Sequence, residues 1–156
     1  MKILVGSDTH HSIGDLYDAI ELEKPDAVIH LGDHLSDAED LAAAFDRIPF
    51  YCVPGNCDYA PFAEDTKLLE LGGVRLLLAH GHQFGVMQGL ERLRQQALRM
   101  GAQAALFGHT HVPLCDVQSG LWLLNPGTCR GYPRSTYGLV TVRNGEILCR
   151  ICELPK

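Results

Sequence analysis

The sequence has few basic residues and lacks any long apolar run. Its 156 residues include 13 Lys and Arg against 19 Asp and Glu, which gives a formal net charge of -6. A chain of this charge has no basic stripe with which to bind the phosphates of a long nucleic acid. No apolar stretch approaches the roughly 20 residues that span a membrane, and Asp8 interrupts the start too early for a secretory signal peptide. We therefore expect a cytoplasmic protein that binds neither long nucleic acids nor membranes.

The sequence also lacks the features of a disulfide framework. It has six cysteines, and without a secretory signal these are expected to stay reduced. Cys149 and Cys152 form a Cys-x-x-Cys pair, but the surrounding CRIC is typical of a strand, in which residues three apart point to opposite faces. We interpret them as free strand cysteines. Because the chain shows no repeat, linker or low-complexity segment, residues 1–156 are predicted to form a single domain.

Short apolar runs alternate with helical spacing along most of the chain. The runs that predict strands each end in a polar cluster, and they cover 3–8, 27–33, 50–56, 74–81, 104–111 and 121–127. Apolar residues at three-and-four spacing predict helices over 13–20, 38–48 and 90–97. This alternation predicts an α/β fold whose sheet is largely parallel at first. Asn144-Gly145 between two later apolar runs predicts a β-hairpin and an antiparallel second half.

Histidines and carboxylates concentrate where the predicted strands end. Seven of the eight histidines lie in or beside four clusters: Asp8-Thr9-His10-His11, Gly32-Asp33-His34, His80-Gly81-His82 and His109-Thr110-His111. Ligands of open α/β sheets bind beyond the carboxyl ends of the strands, so these side chains are expected to meet. Carboxylates with neutral imidazoles suit manganese, iron, nickel or zinc better than calcium or magnesium. The sequence therefore predicts a transition-metal site.

Each cluster taken alone also has an ordinary structural explanation. Gly-Asp and Gly-Asn are common in turns, and a strand can end in a capping Asp and a surface His. His30 stands apart, inside a predicted strand. His109 and His111 are the most informative pair, because residues two apart on an extended segment project to the same side. Five clusters in succession, with Gly55-Asn56 as the fifth, are hard to explain as unrelated turns and favour metal binding.

In order along the chain, SDTH, GDH, GNCD, HGH and GHTH resemble the motif blocks of calcineurin-like metallophosphoesterases. The resemblance covers essentially the whole chain. The small size, Cys57 after Gly-Asn, and the later NPGT followed by Pro133-Arg134 are similar to the small YfcE-like phosphodiesterase branch. The resemblance implies an α/β (α+β) fold, a four-layer αββα sandwich of two mixed β-sheets flanked by helices, in which residues 1–156 are one metallophosphoesterase domain.

The resemblance further implies two divalent metal ions, with manganese (Mn²⁺) expected first and nickel, iron or zinc as alternatives. Carried over by position, the ligands of the first metal are Asp8, His10 and His111. Those of the second are Asn56, His80 and His109, and Asp33 bridges both ions. The two ions with Asp8 and Asp33 leave a charge of about +2, which attracts an anionic phosphate.

The implied activity is hydrolysis of a small phosphate diester by a metal-bridging hydroxide, with Asp33 and Asn56 as catalytic residues. Two alternatives stay open: a phosphomonoesterase or nucleotidase, and a non-catalytic interaction scaffold of the same fold. All seven ligand positions are filled, which favours catalysis. The expected partner is a small phosphate ester. A homo-oligomer is a further candidate assembly. The Arg-Gly pair of the Ser/Thr phosphatase relatives is missing after Gly-Asp, which argues against a protein phosphatase.

The residue that protonates the leaving group is not assigned by the motifs. Many superfamily members have a His after Gly-Asn, where this chain has Cys57. His11 and His34 are the other candidates, although each is more simply explained as a surface or supporting residue. Asp37 and Asp58 either orient the imidazoles or lie in solvated turns.

Overall fold

The computed structural model describes residues 1–60, 63–130 and 134–155, so Pro133 of the Pro133-Arg134 pair lies outside the described residues. Within these ranges the chain forms ten strands and three α-helices. The strands are β1 Lys2–Gly6, β2 Ala27–His30, β3 Phe50–Cys52, β4 Thr66–Leu71, β5 Val74–Ala79, β6 Ala104–Leu106, β7 Leu114–Gln118, β8 Leu121–Asn125, β9 Thr136–Arg143 and β10 Glu146–Glu153. The helices are α1 Gly14–Glu23, α2 Leu35–Ala44 and α3 Glu91–Arg99, with a 3₁₀ turn at His82–Phe84.

The first sheet has the strand order β10-β9-β1-β2-β3. Strands β1, β2 and β3 run parallel, because helices α1 and α2 provide the long crossovers that parallel neighbours need. Strands β9 and β10 run antiparallel and form the predicted hairpin. Its turn residues Asn144 and Gly145 have φ of 54° and 79°, the positive values that a tight two-residue hairpin turn requires.

The second sheet has the order β4-β5-β6-β8-β7. Strands β5, β6 and β8 are parallel, and β4 and β7 pair antiparallel at the two edges. The prediction of an antiparallel second half is therefore right for β9 and β10. Strand β8 is antiparallel to β7 but, against the prediction, parallel to β6. The sequence did not predict β4 and β7, because all of their residues are half-buried or exposed and their apolar pattern is weak.

Three apolar clusters place the elements in four layers. The largest lies between the sheets and joins residues such as Ile3 of β1 and Leu76 of β5. A second packs Leu4 of β1 against helices α1 and α2, and a third packs Leu77 of β5 against α3. This arrangement confirms the αββα sandwich. Strand β1 is apolar along its length because it is covered on both faces. The assignment of 1–156 to one domain stays a prediction.

The Cys-x-x-Cys pair lies within β10, as the strand interpretation requires. Cys149 packs in the cluster between the sheets, whereas Cys152 packs on the helix side, so the two thiols face opposite layers. All six cysteines are free. None of the helices in the described ranges is long and apolar enough to cross a membrane.

Candidate metal centre

The residues singled out by sequence follow strands at their carboxyl ends in both sheets. In the first sheet Asp8 and His10 follow β1, Asp33 follows β2, and Asn56 follows β3. In the second sheet His80 follows β5, and His109 and His111 follow β6. Side chains from the two sheets contact one another, which places the site over the end of the sandwich where the parallel strands finish.

Four of these residues form a compact group. One ligand atom from each of Asp8, His10, Asp33 and His111 lies within 4.8 Å of the other three. Asp8 Oδ1 is 3.2 Å from His111 Nε2 and 3.8 Å from His10 Nε2. The two imidazole Nε2 atoms are 3.4 Å apart. The structure thus brings the three residues expected at the first metal together with the expected bridge.

His80 is fully buried beside this group and presents a lone pair to it. Its Nδ1 donates to the Leu31 carbonyl at 2.7 Å, so the tautomer leaves Nε2 unprotonated in the neutral ring. His80 Nε2 lies 3.4 Å from Asp33 Oδ2 and 3.7 Å from Asp8 Oδ1. In the described part of the chain, His80 Nε2 and Asp8 Oδ1 are the two buried side-chain polar atoms without a hydrogen-bond partner. Unpartnered buried polar atoms are costly, and a cation between these donors would satisfy both.

The charges of the group keep Asp33 ionised. Burial by itself would raise the pKa of Asp33, but His80 and the backbone N–H of Cys57, which donates to Asp33 Oδ1 at 3.0 Å, hold it below its usual range. Burial lowers the pKa of His80, and the Asp33 and Asp8 carboxylates outweigh that effect and raise it. A carboxylate that is ionised before a cation arrives is a ready ligand.

The remaining two expected ligands lie at different distances from the group. The His109 ring centroid is 5.1 Å from that of His80, and the His109 backbone N–H donates to Asp8 Oδ2 at 3.1 Å. Asn56 is exposed, and its amide contacts Cys57 Sγ at 3.9 Å. The structure therefore places His109 next to the buried cluster, whereas the role of Asn56 stays a prediction.

The backbone at the site is held in a conformation that side chains rarely adopt. Five of the seven expected ligands have positive φ: Asp8 at 57°, His10 at 48°, Asp33 at 58°, His109 at 69° and His111 at 63°. Each such residue costs on the order of 1 kcal/mol, and such strain persists at functional sites where the surroundings enforce it. Residue types alone do not predict these positive φ values, so they were not among the expectations from the sequence.

Three glycines of the motif blocks allow the ligand loops to touch. A Cβ on Gly32 would lie 2.5 Å from the Gly55 nitrogen, and a Cβ on Gly55 would lie 2.5 Å from the Asp33 nitrogen and overlap its Oδ1. A Cβ on Gly108 would overlap Ser7 Oγ and lie 2.8 Å from Asp8 Oδ2. These glycines are required by close approach between loops.

Asp37 and Asp58 support the backbone of the ligand loops. Asp58 accepts from the N–H groups of His34 and Leu35 at 2.8 and 2.9 Å and from Gly55 at 2.9 Å. It therefore ties the loop after β3 to the start of α2. Asp37 is buried and accepts from the His11 N–H at 2.8 Å. Both carboxylates accept hydrogen bonds from main-chain N–H groups. They therefore hold the ligand loops in place rather than orient the imidazole side chains.

His30 has no role among the predictions from the sequence. In the structure it links the loop after β1 to the loop after β2. It is buried, and its Nδ1 accepts from the Gly32 N–H at 3.2 Å, so the ring proton is on Nε2. That proton faces Thr9 Oγ1 at 3.1 Å, and Thr9 in turn donates to Asp37 at 2.5 Å. The available signal was a histidine in an apolar strand three residues before Asp33. Burial lowers the pKa of His30 to about 4.

We expect His30→Gln to reduce the acid sensitivity of the metal-free protein. An unfolded His has a pKa near 6.5, so between there and about 4 the unfolded chain binds a proton that the folded chain does not. Folding stability therefore falls as the pH drops through this window, by about 3 kcal/mol for one group. Urea unfolding between pH 4 and 7.5 measures the slope. His11→Gln, at an exposed histidine, is the control. A slope in His30→Gln that is as steep as in the wild type would refute the assignment to His30.

The three candidates for the general acid lie at the rim. The rings of His11 and His34 have centroids 3.8 Å apart, and His34 is 5.0 Å from His10 by the same measure. Cys57 is exposed, and partial burial with the negative charge of Asp33 raises the pKa of its thiol. Their catalytic roles stay predictions.

Comparison with known proteins agrees with these motifs. The profile of the Calcineurin-like phosphoesterase superfamily domain matches residues 1–145. The Bacillus subtilis protein named Probable metallophosphoesterase YsnB is 33% identical over 159 residues, covering 98% of this chain and 91% of that protein. Phosphodiesterase YfcE of Escherichia coli K12 is 26% identical over 169 residues, covering 90% and 87%.

A solved structure shows the same fold. Vps29 of Entamoeba histolytica, in its complex with Zn²⁺, has a TM-score of 0.79 at 20% identity, covering 99% of this chain and 100% of that one. The family match spans nearly the whole chain, and the site offers the Asp and His donors that a divalent metal needs. The chain therefore belongs to the calcineurin-like phosphoesterase superfamily, in its small YfcE-like branch, and is a metal-dependent phosphoesterase.

Proposed function

We propose that the enzyme is a phosphodiesterase that hydrolyses a small phosphate diester with two divalent metal ions. The observation that carries the proposal is the pair of buried, unpartnered ligand atoms, Asp8 Oδ1 and His80 Nε2, 3.7 Å apart. Each of these two atoms has further potential metal ligands beside it. His10 and His111 lie near Asp8, and the His109 ring lies beside His80.

The proposed ligands divide into two sets around a shared carboxylate. Asp8, His10 and His111 would hold one ion, and Asn56, His80 and His109 the other. Asp33 suits the bridge, because its Oδ2 is 3.9 Å from His10 Nε2 and 3.4 Å from His80 Nε2, one residue from each set. Manganese is the first candidate, and nickel, iron and zinc also suit imidazole with carboxylate.

The residues prepare the site for an anionic ester. Two divalent ions held by these residues would lower the pKa of water towards about 7 and so supply a hydroxide nucleophile. Asp33 provides a fixed negative charge, and the Leu31 carbonyl fixes the His80 tautomer. Asn56 adds an amide without charge, so the set leaves about +2 for the substrate.

Among the described residues, the cavity beside His111 has no unpaired cation for the second charge of a monoester. Arg134, which lines a cavity shared with His111, is 3.3 Å from Glu153, so its charge is balanced. A diester carries one negative charge, whereas a monoester carries nearly two at neutral pH and gains more from a free cation. Phosphomonoesterase or nucleotidase activity is the enzymatic alternative. The other alternative is a non-catalytic interaction scaffold. Vps29 has the same fold as this chain, so the fold alone does not decide between catalysis and a scaffold role.

One set of measurements separates these alternatives. The protein is stripped with a chelator, reloaded with Mn²⁺, Ni²⁺, Fe²⁺ or Zn²⁺, and tested on bis(4-nitrophenyl) phosphate and 4-nitrophenyl phosphate. We expect two metals per chain at saturation and a higher kcat/KM for the diester. A preference for the monoester would favour the nucleotidase, and no hydrolysis with any metal would favour the scaffold. Full activity at one metal per chain would contradict the two-metal site.

A further inference from the structure

A cavity of about 430 Å³ opens directly beside the metal ligand His111. Its other walls are Pro113, Thr128, Arg134, Thr136, Ile151 and Glu153. This volume lies within the range of about 300 to 1,000 Å³ that is typical of sites for small organic molecules. Because His111 belongs to both the cavity and the metal cluster, a phosphate held at the cluster would direct one of its substituents into this space.

Among the described residues that line the cavity, the formal charges cancel. Arg134 and Glu153 form an ion pair at 3.3 Å, and His111 is neutral when it acts as a ligand. Pro113 and Ile151 add apolar surface, and Ile151 also packs against the cluster between the two sheets. A second anionic group would meet a guanidinium that a carboxylate already pairs with, whereas an uncharged group with apolar faces would bury surface against Pro113 and Ile151.

Two hydroxyl groups in the walls can only accept hydrogen bonds from a ligand. Thr128 Oγ1 donates its proton to the Asp8 carbonyl at 2.8 Å, and Thr136 Oγ1 donates to the Pro126 carbonyl at 2.6 Å. A hydroxyl has one proton and two lone pairs, so each oxygen offers only lone pairs to the cavity. A ligand that matches these walls therefore carries O–H or N–H donors.

We infer that this cavity binds the organic arm of the phosphate ester, and that this arm is an uncharged, nucleoside-sized group with ring faces and hydrogen-bond donors. The inference rests on the proposed function, because the cluster must hold the phosphate for the arm to reach the cavity. It names a substrate class, a diester of a nucleoside, and it makes Ile151 and the two threonines determinants of specificity.

Two diesters with the same leaving group and charge test this assignment. One is methyl 4-nitrophenyl phosphate, and the other is the 4-nitrophenyl ester of thymidine 5′-phosphate. We expect the manganese-loaded wild type to show a kcat/KM at least about tenfold higher for the thymidine ester. Ile151→Trp fills the cavity, so the ratio of the two values is expected to fall towards one.

Two further variants keep the test decisive. Glu153→Trp narrows the cavity from an exposed position on the same face of β10, and it replaces Ile151→Trp if that variant does not fold. Leu148→Trp is the matched control, because Leu148 is 59% exposed on the opposite face of β10, and we expect it to keep both the rates and the ratio.

The outcomes distinguish this inference from the proposed function. A wild-type ratio near one, or an unchanged ratio in folded Ile151→Trp and Glu153→Trp, overturns the assignment of the cavity. Failure to hydrolyse either ester overturns the diesterase function instead. In that case calorimetry with thymidine alone decides the cavity: binding that Ile151→Trp or Glu153→Trp abolishes supports it, and no binding to wild type refutes it.

Discussion

Asp33→Asn is expected to lower the manganese-dependent diesterase kcat/KM by at least about 10³-fold. Asparagine keeps the shape of the side chain but removes the charge that two cations would share. The geometry makes this loss severe, because Asp33 Oδ2 is 3.9 Å from His10 Nε2 and 3.4 Å from His80 Nε2, one residue from each proposed ligand set. Steady-state kinetics on bis(4-nitrophenyl) phosphate and metal content per chain measure the effect.

The fold of this variant is expected to survive. The amide oxygen of Asn can still accept from the Cys57 N–H, which now bonds to Asp33 Oδ1 at 3.0 Å. In the metal-free protein the substitution removes the charge that His80 and the Cys57 N–H favour in the folded state. Thermal unfolding without metal should therefore occur at a moderately lower temperature, with the folded state retained. Asp40→Asn, on the exposed side of α2, serves as the control.

A near-normal rate in Asp33→Asn would show that Asp33 is a turn residue, and the two-metal proposal would fail with it. A variant that loses activity but also unfolds in the absence of metal would show a structural role instead. The comparison of metal-free unfolding with metal-loaded turnover separates these results.

Much of the fold and the site can be predicted because the signals are local. Five of the six apolar runs that were expected as strands end in a metal-competent side chain, and parallel strands bring such ends together. The convergence of Asp8, His10, Asp33 and His111 follows from that rule. Strands β4 and β7 could not be predicted, because their residues are half-buried or exposed and give only a weak apolar pattern.

Contacts between distant loops explain most of what the sequence could not show. The link from His30 through Thr9 to Asp37 joins residues 21 and 28 positions apart. The bonds from main-chain donors of distant loops to Asp37 and Asp58 have no local pattern either. The left-handed backbone at Asp8 and Asp33 is imposed by packing around the site, and the preference of Asp for this conformation is too weak to predict it from sequence.

The Gly55-Asn56 pair shows how a correct motif can have a different physical basis. In the sequence, Gly-Asn is typical of a turn, and a positive φ in that turn would explain both residue types. In the structure neither residue has a positive φ, whereas the ligands Asp8 and Asp33 do. Gly55 is needed because the loop after β3 crosses directly against Asp33. A methyl group at this position would push on the proposed bridge.

We therefore expect Gly55→Ala to lower diesterase kcat/KM by about 10²-fold or more and to weaken Mn²⁺ binding. The new Cβ would lie 2.5 Å from the Asp33 nitrogen and 2.9 Å from its Cγ, so the carboxylate must move. A displacement of about 1 Å at a reacting centre can cost about 10²-fold in rate, and overpacking costs about 1 to 3 kcal/mol of stability. Enzyme kinetics, calorimetric Mn²⁺ titration and thermal unfolding measure the three effects.

Gly14→Ala is the matched control for this substitution. Gly14 begins α1, has no neighbouring atom within 4 Å of an added Cβ, and has no positive φ to forbid a side chain. Alanine in a helix is favoured over glycine by about 1 kcal/mol, so this variant should be as active as the wild type and slightly more stable. If Gly55→Ala also keeps normal turnover and Mn²⁺ affinity, the contact between the two loops does not position Asp33. If both affinity and rate fall while metal-free unfolding changes by no more than about 3 kcal/mol, Gly55 acts through the position of the carboxylate.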